Sequence, residues 1–187
     1  MREDQRTLAE ALRDVFPWES VVAEWQAFRN EVGRYSPRVD IAVGPFATAK
    51  QHYTEEYDKL GTQHQRLLTS LHGAFVDNVS TFCGTGSAPS LESMSSRNPN
   101  ARCFMAIEIE GSGSGKHIMG GVINACALGR YGVSLASSQT RLRTLLRVRQ
   151  YMLFLEAVGK NRFDPTNSLL LTTHQFADAL GVKLDAV

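Results

Sequence analysis

Apolar residues recur with two different periods along this 187-residue chain, and the switches between them predict the order of its elements. Leu8, Leu12, Val15 and Phe16 stand at helical spacing, so residues 5–16 form an amphipathic helix that Pro17 stops. Pro17 also suits the first turn of a second helix, with Trp18, Val21, Val22, Trp25 and Phe28 on its apolar face and Glu19, Glu24 and Glu31 in solvent. Val39, Ile41 and Val43 then alternate with Asp40 and Ala42, the pattern of a short strand between Pro37 and Gly44-Pro45. Residues 47–79 return to the helical period, with a break at Gly61 and with Leu60, Leu67, Leu68, Leu71 and Phe75 on one side. The stretch 83–101 is rich in Gly, Ser, Pro and Asn and reads as a flexible surface loop.

A buried strand follows over 104–110 (FMAIEIE), then a glycine/serine turn and an apolar helix beginning near Lys116, in which Gly120-Gly121 favours close packing. Residues 131–136 (YGVSLA) are a further strand, 139–158 a long helix, 168–173 (SLLLTT) a last strand and 175–180 a short helix. In the long helix Leu142, Leu145, Leu146, Arg149, Met152, Leu153 and Glu156 share a broad stripe. Arg149 and Glu156 are candidates for an internal ion pair, while Arg141, Arg143 and Arg147 lie towards the other side. This order predicts an α/β or α+β domain with a mixed sheet of four or more strands, flanked by helices on both faces.

Composition narrows the class without naming a partner. Hydrophobic and charged contents of 43% and 21% are those of an ordinary soluble domain, and the length suits one domain over residues 1–187. A net charge of +1 leaves room for local patches of either sign. Cys83, Cys103 and Cys126 form no CxxC pair, which points to reduced thiols and a cytoplasmic location. The charged N-terminus is unlike a secretory signal, and no apolar run reaches the roughly 18 residues of a membrane span. His52, His64 and His72 offer no i, i+4 pair for a metal.

The chemistry gathers on the strand at 104–110. Side chains alternate along a strand, so Glu108 and Glu110 share a face about 7 Å apart, an arrangement that needs a cation or a proton. Three readings answer it. In the first, a hard dication such as Mg²⁺ (or Mn²⁺) is held by Asp40, Glu108 and Glu110, and Lys116 steadies the same phosphate. The pattern PRVD (37–40), an apolar strand ending in EIE (108–110) and a following helix resembles the PD-(D/E)XK, restriction-endonuclease-like nuclease superfamily. The resemblance covers roughly residues 8–176 in element order.

It implies a Mg²⁺-dependent endonuclease that hydrolyses DNA phosphodiesters with metal-activated water. Asp40 and Glu108 would be metal ligands and Glu110 a ligand or base. Lys116 would be the transition-state stabiliser, because Glu110 stands where the family usually has Lys and some members place the lysine on the next helix. An acid near the N-terminal helix often joins such sites, and Glu31 is the nearest candidate, Glu24 the next. The 68 positions from Asp40 to Glu108 exceed the usual hairpin, so a helical insertion at about 47–80 is implied. DNA is the expected partner with RNA open, Arg141, Arg143 and Arg147 are the candidate nucleic-acid contacts, and a homodimer or a place in a larger complex is compatible.

The second reading takes EGSGSGKH (110–117) as a P-loop-like nucleotide-binding turn. Glu110 stands at its first glycine position and His117 at its Ser/Thr position. In the third, the two carboxylates are solvated and the chain is a non-catalytic nucleic-acid-binding or assembly subunit. Asn124, two turns on from Lys116, is either a substrate contact or a solvated residue, the second being the simpler expectation.

Overall fold

A computed structural model describes residues 3–17, 20–29, 33, 35–47, 52–84, 88–111 and 114–184. Its elements run α1 (Glu3–Val15), β1 (Val21–Gln26), β2 (Arg38–Val43), α2 (Thr54–Gln63), α3 (Gln65–Cys83) and α4 (Leu91–Ser96). They continue as β3 (Cys103–Glu110), α5 (Gly115–Leu128), β4 (Gly129–Ala136), α6 (Gln139–Ala157), β5 (Ser168–Thr172) and α7 (Thr173–Ala179). The five strands lie in sequence order in one mixed sheet, and helices flank it. β1, β2 and β3 pair antiparallel, whereas β3, β4 and β5 pair parallel through α5 and α6. This is an α/β architecture.

One expectation is overturned in the described part of the second helix: Val21–Gln26 is the edge strand β1. Trp18, Glu19 and Glu31, from the same expected helix, lie outside the described residues. Val21, Val22 and Trp25 fit a helical period, but β-branched and aromatic side chains also suit a half-buried strand, and pairing with β2 decides between the two. The interruption expected at Gly61 falls at His64, between α2 and α3, and the loop expected over 83–101 contains the short helix α4. The Arg149 side chain is buried with its guanidinium 5.4 Å from the Phe75 ring centroid, whereas Glu156 is exposed.

The two faces of the sheet differ in side-chain size. In strand register, Ile41, Ile107, Val133 and Leu169 form one transverse row, and Val43, Met105 and Tyr131 another. These join the main apolar core with Leu8, Leu12, Phe75 and Phe176. On the other parity the row is Ala42, Ala106, Gly132 and Ser168. Small residues there allow α5 to lie close: a β-carbon at Gly132 would stand 2.7 Å from the Cys126 backbone nitrogen. α5 accordingly touches β2, β3 and β4.

The outer edge of β5 is covered by α3, whose Asn78 donates its amide to the Leu170 carbonyl (3.0 Å) and exchanges hydrogen bonds with Gln175. That cover removes an exposed pairing edge. Gly132→Ala should destabilise the fold by about 1–3 kcal/mol, since backbone rather than a flexible side chain must give way. Urea denaturation checks this, and wild-type stability in the variant would mean that α5 sits less tightly than the register requires.

Candidate active site

Two residues further along the small-residue face the character changes from small to acidic. Continuing the β2–β3 register by one position sets Asp40 opposite Glu108, and Glu108 in turn pairs with Ser134 of β4. Glu110 follows on the same face, paired with Ala136. The sheet therefore brings Asp40, Glu108 and Glu110 together beneath α5, although 68 positions separate the first two.

Each carboxylate is fixed by a specific contact. Asp40 accepts a hydrogen bond on Oδ2 from the Ile109 backbone N–H (2.7 Å). Glu108 accepts hydrogen bonds from the Asn124 side chain and from the Asp40 backbone N–H. Glu110 is only 5% exposed, and its Oε1 fills the space that a side chain at Gly121 would occupy. A side chain at Gly121 would therefore displace the Glu110 carboxylate from this position. Ser134, fully buried beside Glu108 in the next strand, has no hydrogen-bond partner for its hydroxyl among the described residues.

Burial pushes the Glu108 carboxyl up to about 9, with the negative charges of Asp40 and Glu110 adding to the shift. The hydrogen bonds from Asn124 and the Asp40 N–H oppose it only in part. A carboxyl in that setting holds a proton at neutral pH unless a cation takes the proton's place.

On the β1 side the row ends at Glu24, which the flanking register places opposite Asp40. Glu24 has a φ of 53°, a left-handed conformation that costs an ordinary residue about 1 kcal/mol. Its carboxylate accepts from Gln5 Nε2 (2.7 Å) and pairs with Arg38 Nε (3.0 Å). The same Gln5 amide, on a side chain 2% exposed, also donates to the Asp40 carbonyl at 2.8 Å. What α1 contributes beside the cluster is therefore an amide rather than an acid.

The remaining sequence candidates divide. Lys116 stands exposed on the first turn of α5, and the α5 residues that meet the carboxylates are Gly121 and Asn124. Asn124, for which solvation was the simpler expectation, is a partner of Glu108. Two signals pointed to it, the Gly120-Gly121 pair and its approximate alignment with Lys116, but only the depth of α5 on the sheet completes the contact. Glu31 lies outside the described residues, as do residues 112 and 113 of the glycine/serine turn. Arg141 is half-buried, and Arg143 and Arg147 are exposed on α6.

Among the described residues no group of three or more His, Cys, Asp and Glu side chains closes round a single point. A hard dication takes one or two carboxylates and completes its shell with water and phosphate oxygens, and Asp40 and Glu108 are the acids that the β2–β3 register sets opposite one another. Among the described residues no helix is long and apolar enough to cross a membrane. Comparison of the chain with family models, curated proteins and solved structures gives no match.

The Glu108 shift has a definite sign in stability. Between pH 4.5 and about 9 the folded chain keeps a proton there that the unfolded chain has released. The folded state binds more protons throughout that window, so stability should fall as pH rises through it. Thermal melts without divalent ions should show this decline in wild type and a flatter profile in Glu108→Gln. Superimposable slopes would show that Glu108 is ionised in the folded protein.

Proposed function

We propose that this chain is a Mg²⁺-dependent nuclease of restriction-endonuclease-like type that hydrolyses phosphodiester bonds in DNA. The observation that carries the reading is the meeting of Asp40 on β2 with Glu108 on β3, in a site where Glu108 needs either a proton or a cation. Element order supports it too. Helix, strand, helix, strand follow the strand bearing Glu108, as the resemblance to that family implies, while α1 is separated from the Asp-bearing strand by β1. The strands that carry the two acids are antiparallel neighbours, with helices α2, α3 and α4 inserted between them.

Mg²⁺, when bound, supplies a Lewis acid that polarises the phosphodiester and acidifies water. Asp40 and Glu108 are the residues that would hold it. The Ile109 N–H orients Asp40, and the Asn124 amide orients Glu108. Glu108 holds a proton that it would release to solvent on taking a cation, because its raised affinity for the proton comes from burial and from neighbouring negative charge. Glu110, in the place where the family usually has Lys, adds negative charge beside the pair. α5 roofs one side of the cluster and keeps bulk water from it. Lys116, exposed on the first turn of that helix, is the cation that would stabilise the phosphate in this reading.

Two measurements test the reading. Wild type should nick plasmid DNA with Mg²⁺ or Mn²⁺, and Glu108→Ala should lose about 10²-fold or more of that rate. Equal rates in both proteins would end the assignment. Calorimetric titration of Mn²⁺ near neutral pH, in buffers of different ionisation enthalpy, should show release of about one proton per ion. Asn124→Ala should weaken the ion's affinity by about 10–100-fold, as for loss of a partner that orients a ligand. Absence of ion binding would favour a non-catalytic assembly subunit instead.

A further inference from the structure

The exposed side of α6 carries a second pattern. Leu142, Leu145, Leu146, Arg149 and Met152 are buried against the body of the protein. Arg143, Arg147, Gln150, Tyr151, Phe154 and Val158 are exposed on the opposite side. At 3.6 residues per turn these six fall within an arc of about 100° and run about 22 Å along the helix. Tyr151, Phe154 and Val158 are 53%, 58% and 48% exposed, an unusual cost for large apolar side chains on one helix face. α6 has four arginines and a single acid, Glu156, which lies on another side of the helix from the stripe. Arg143 also stacks over the Phe82 ring (5.0 Å), and a groove of about 250 Å³ lined by Phe82, Leu146, Arg147 and Gln150 runs beside it.

Two cations followed by two aromatics along one exposed helix face suit a polyanion with accessible ring faces. A second copy of this chain, paired antiparallel along α6, would set Arg143 and Arg147 of each copy against the aromatics of the other, and sedimentation separates that outcome. A duplex offers phosphates but keeps its base faces stacked inside, so Tyr151 and Phe154 would have nothing to stack on. A single strand offers both, with phosphates for Arg143 and Arg147 and unstacked bases for Tyr151 and Phe154. The helix also starts at the site. Ser137 N–H donates to the Glu110 carbonyl (3.4 Å) immediately before α6, so the stripe leads away from the carboxylates.

We propose that the Arg143–Val158 stripe of α6 is a track for single-stranded nucleic acid that feeds the carboxylate site. The binding claim stands on the stripe alone; only the word "feeds" rests on the nuclease reading.

The test is fluorescence anisotropy with labelled single-stranded DNA and RNA of about 12 nucleotides and with the matching duplex. Salt runs from about 50 to 200 mM with EDTA present so that nothing is cut. The expected result is single-strand binding tighter than duplex binding, with the DNA and RNA arms identifying the sugar preferred. Tyr151→Ala with Phe154→Ala should weaken it about 10-fold or more at constant salt. Arg143→Ala with Arg147→Ala should lower the slope of log K against log salt by about 1.4, two phosphates' worth for a single strand. Single-strand binding unchanged in both double variants would overturn the track. So would duplex binding as tight as single-strand binding, or an aromatic double variant that alters only a monomer–dimer equilibrium seen by sedimentation.

Cleavage assayed in parallel separates the two readings. A wild type that binds along α6 yet never cuts overturns the reaction and not the track. Metal-dependent cutting with binding unaltered in the α6 variants overturns the track and not the reaction.

Discussion

The close seating of α5 on the sheet is the constraint on which the rest depends. A helix can approach a sheet so closely only where the underlying row is small, and Ala42, Ala106, Gly132 and Ser168 provide that row across four strands. Gly121 extends the same economy of side chain from the helix side, where any larger residue would meet the Glu110 carboxylate. The consequence is electrostatic. Once α5 is that close, Glu108 and Glu110 are shut between helix and sheet and lose the water that would otherwise hold their charge.

Burying like charges close together is costly unless a proton or a cation offsets them, so the cluster needs a chemical answer. Protonation of Glu108 is one answer, and its raised affinity for a proton is the signature of that state. In the proposed function, a dication held by Asp40 and Glu108 would be the other. In that reading the proton and the ion would compete for the same oxygens, so the site would respond to both pH and ion concentration. The hydrogen bonds that orient the carboxylates come from the backbone of Ile109 and Asp40 and from Asn124 on the roof. They are therefore set by the fold whether or not an ion is present.

The periphery is arranged around the same feature. Glu24, held in a left-handed conformation on the edge strand, is satisfied by Gln5 and Arg38 and does not add an unanswered charge to the row beside Asp40. Gln5 ties α1 to β1 and β2 with a single amide that serves both the Glu24 side chain and the Asp40 carbonyl. At the other edge α3 closes β5 through Asn78. The helical insertion between β2 and β3 thus has a structural task, which accounts for a length that no hairpin would need.

From β2 onwards the strands and the longer helices were legible because local period carries them, whereas the short helix α4 was not. Val39, Ile41 and Val43 alternate, the strand at 104–110 is followed by a helix, and the long helix at 139–157 shows a buried stripe opposite its arginines. The shared face of Glu108 and Glu110 follows from strand geometry alone. The segment at 21–26 was not legible: its apolar spacing satisfies a helix and a strand alike, and only hydrogen bonding to β2 separates them.

Nor could sequence show that Asp40 reaches Glu108 across 68 positions, that Asn124 turns inwards, or that Gln5 binds Glu24. Those contacts depend on strand order and on the depth of α5, which are non-local. The chain by itself determined which residues carry charge and which faces they share within each element. Tertiary structure decided which of those charges meet, because burial and distance belong to the packing of elements and not to any one of them.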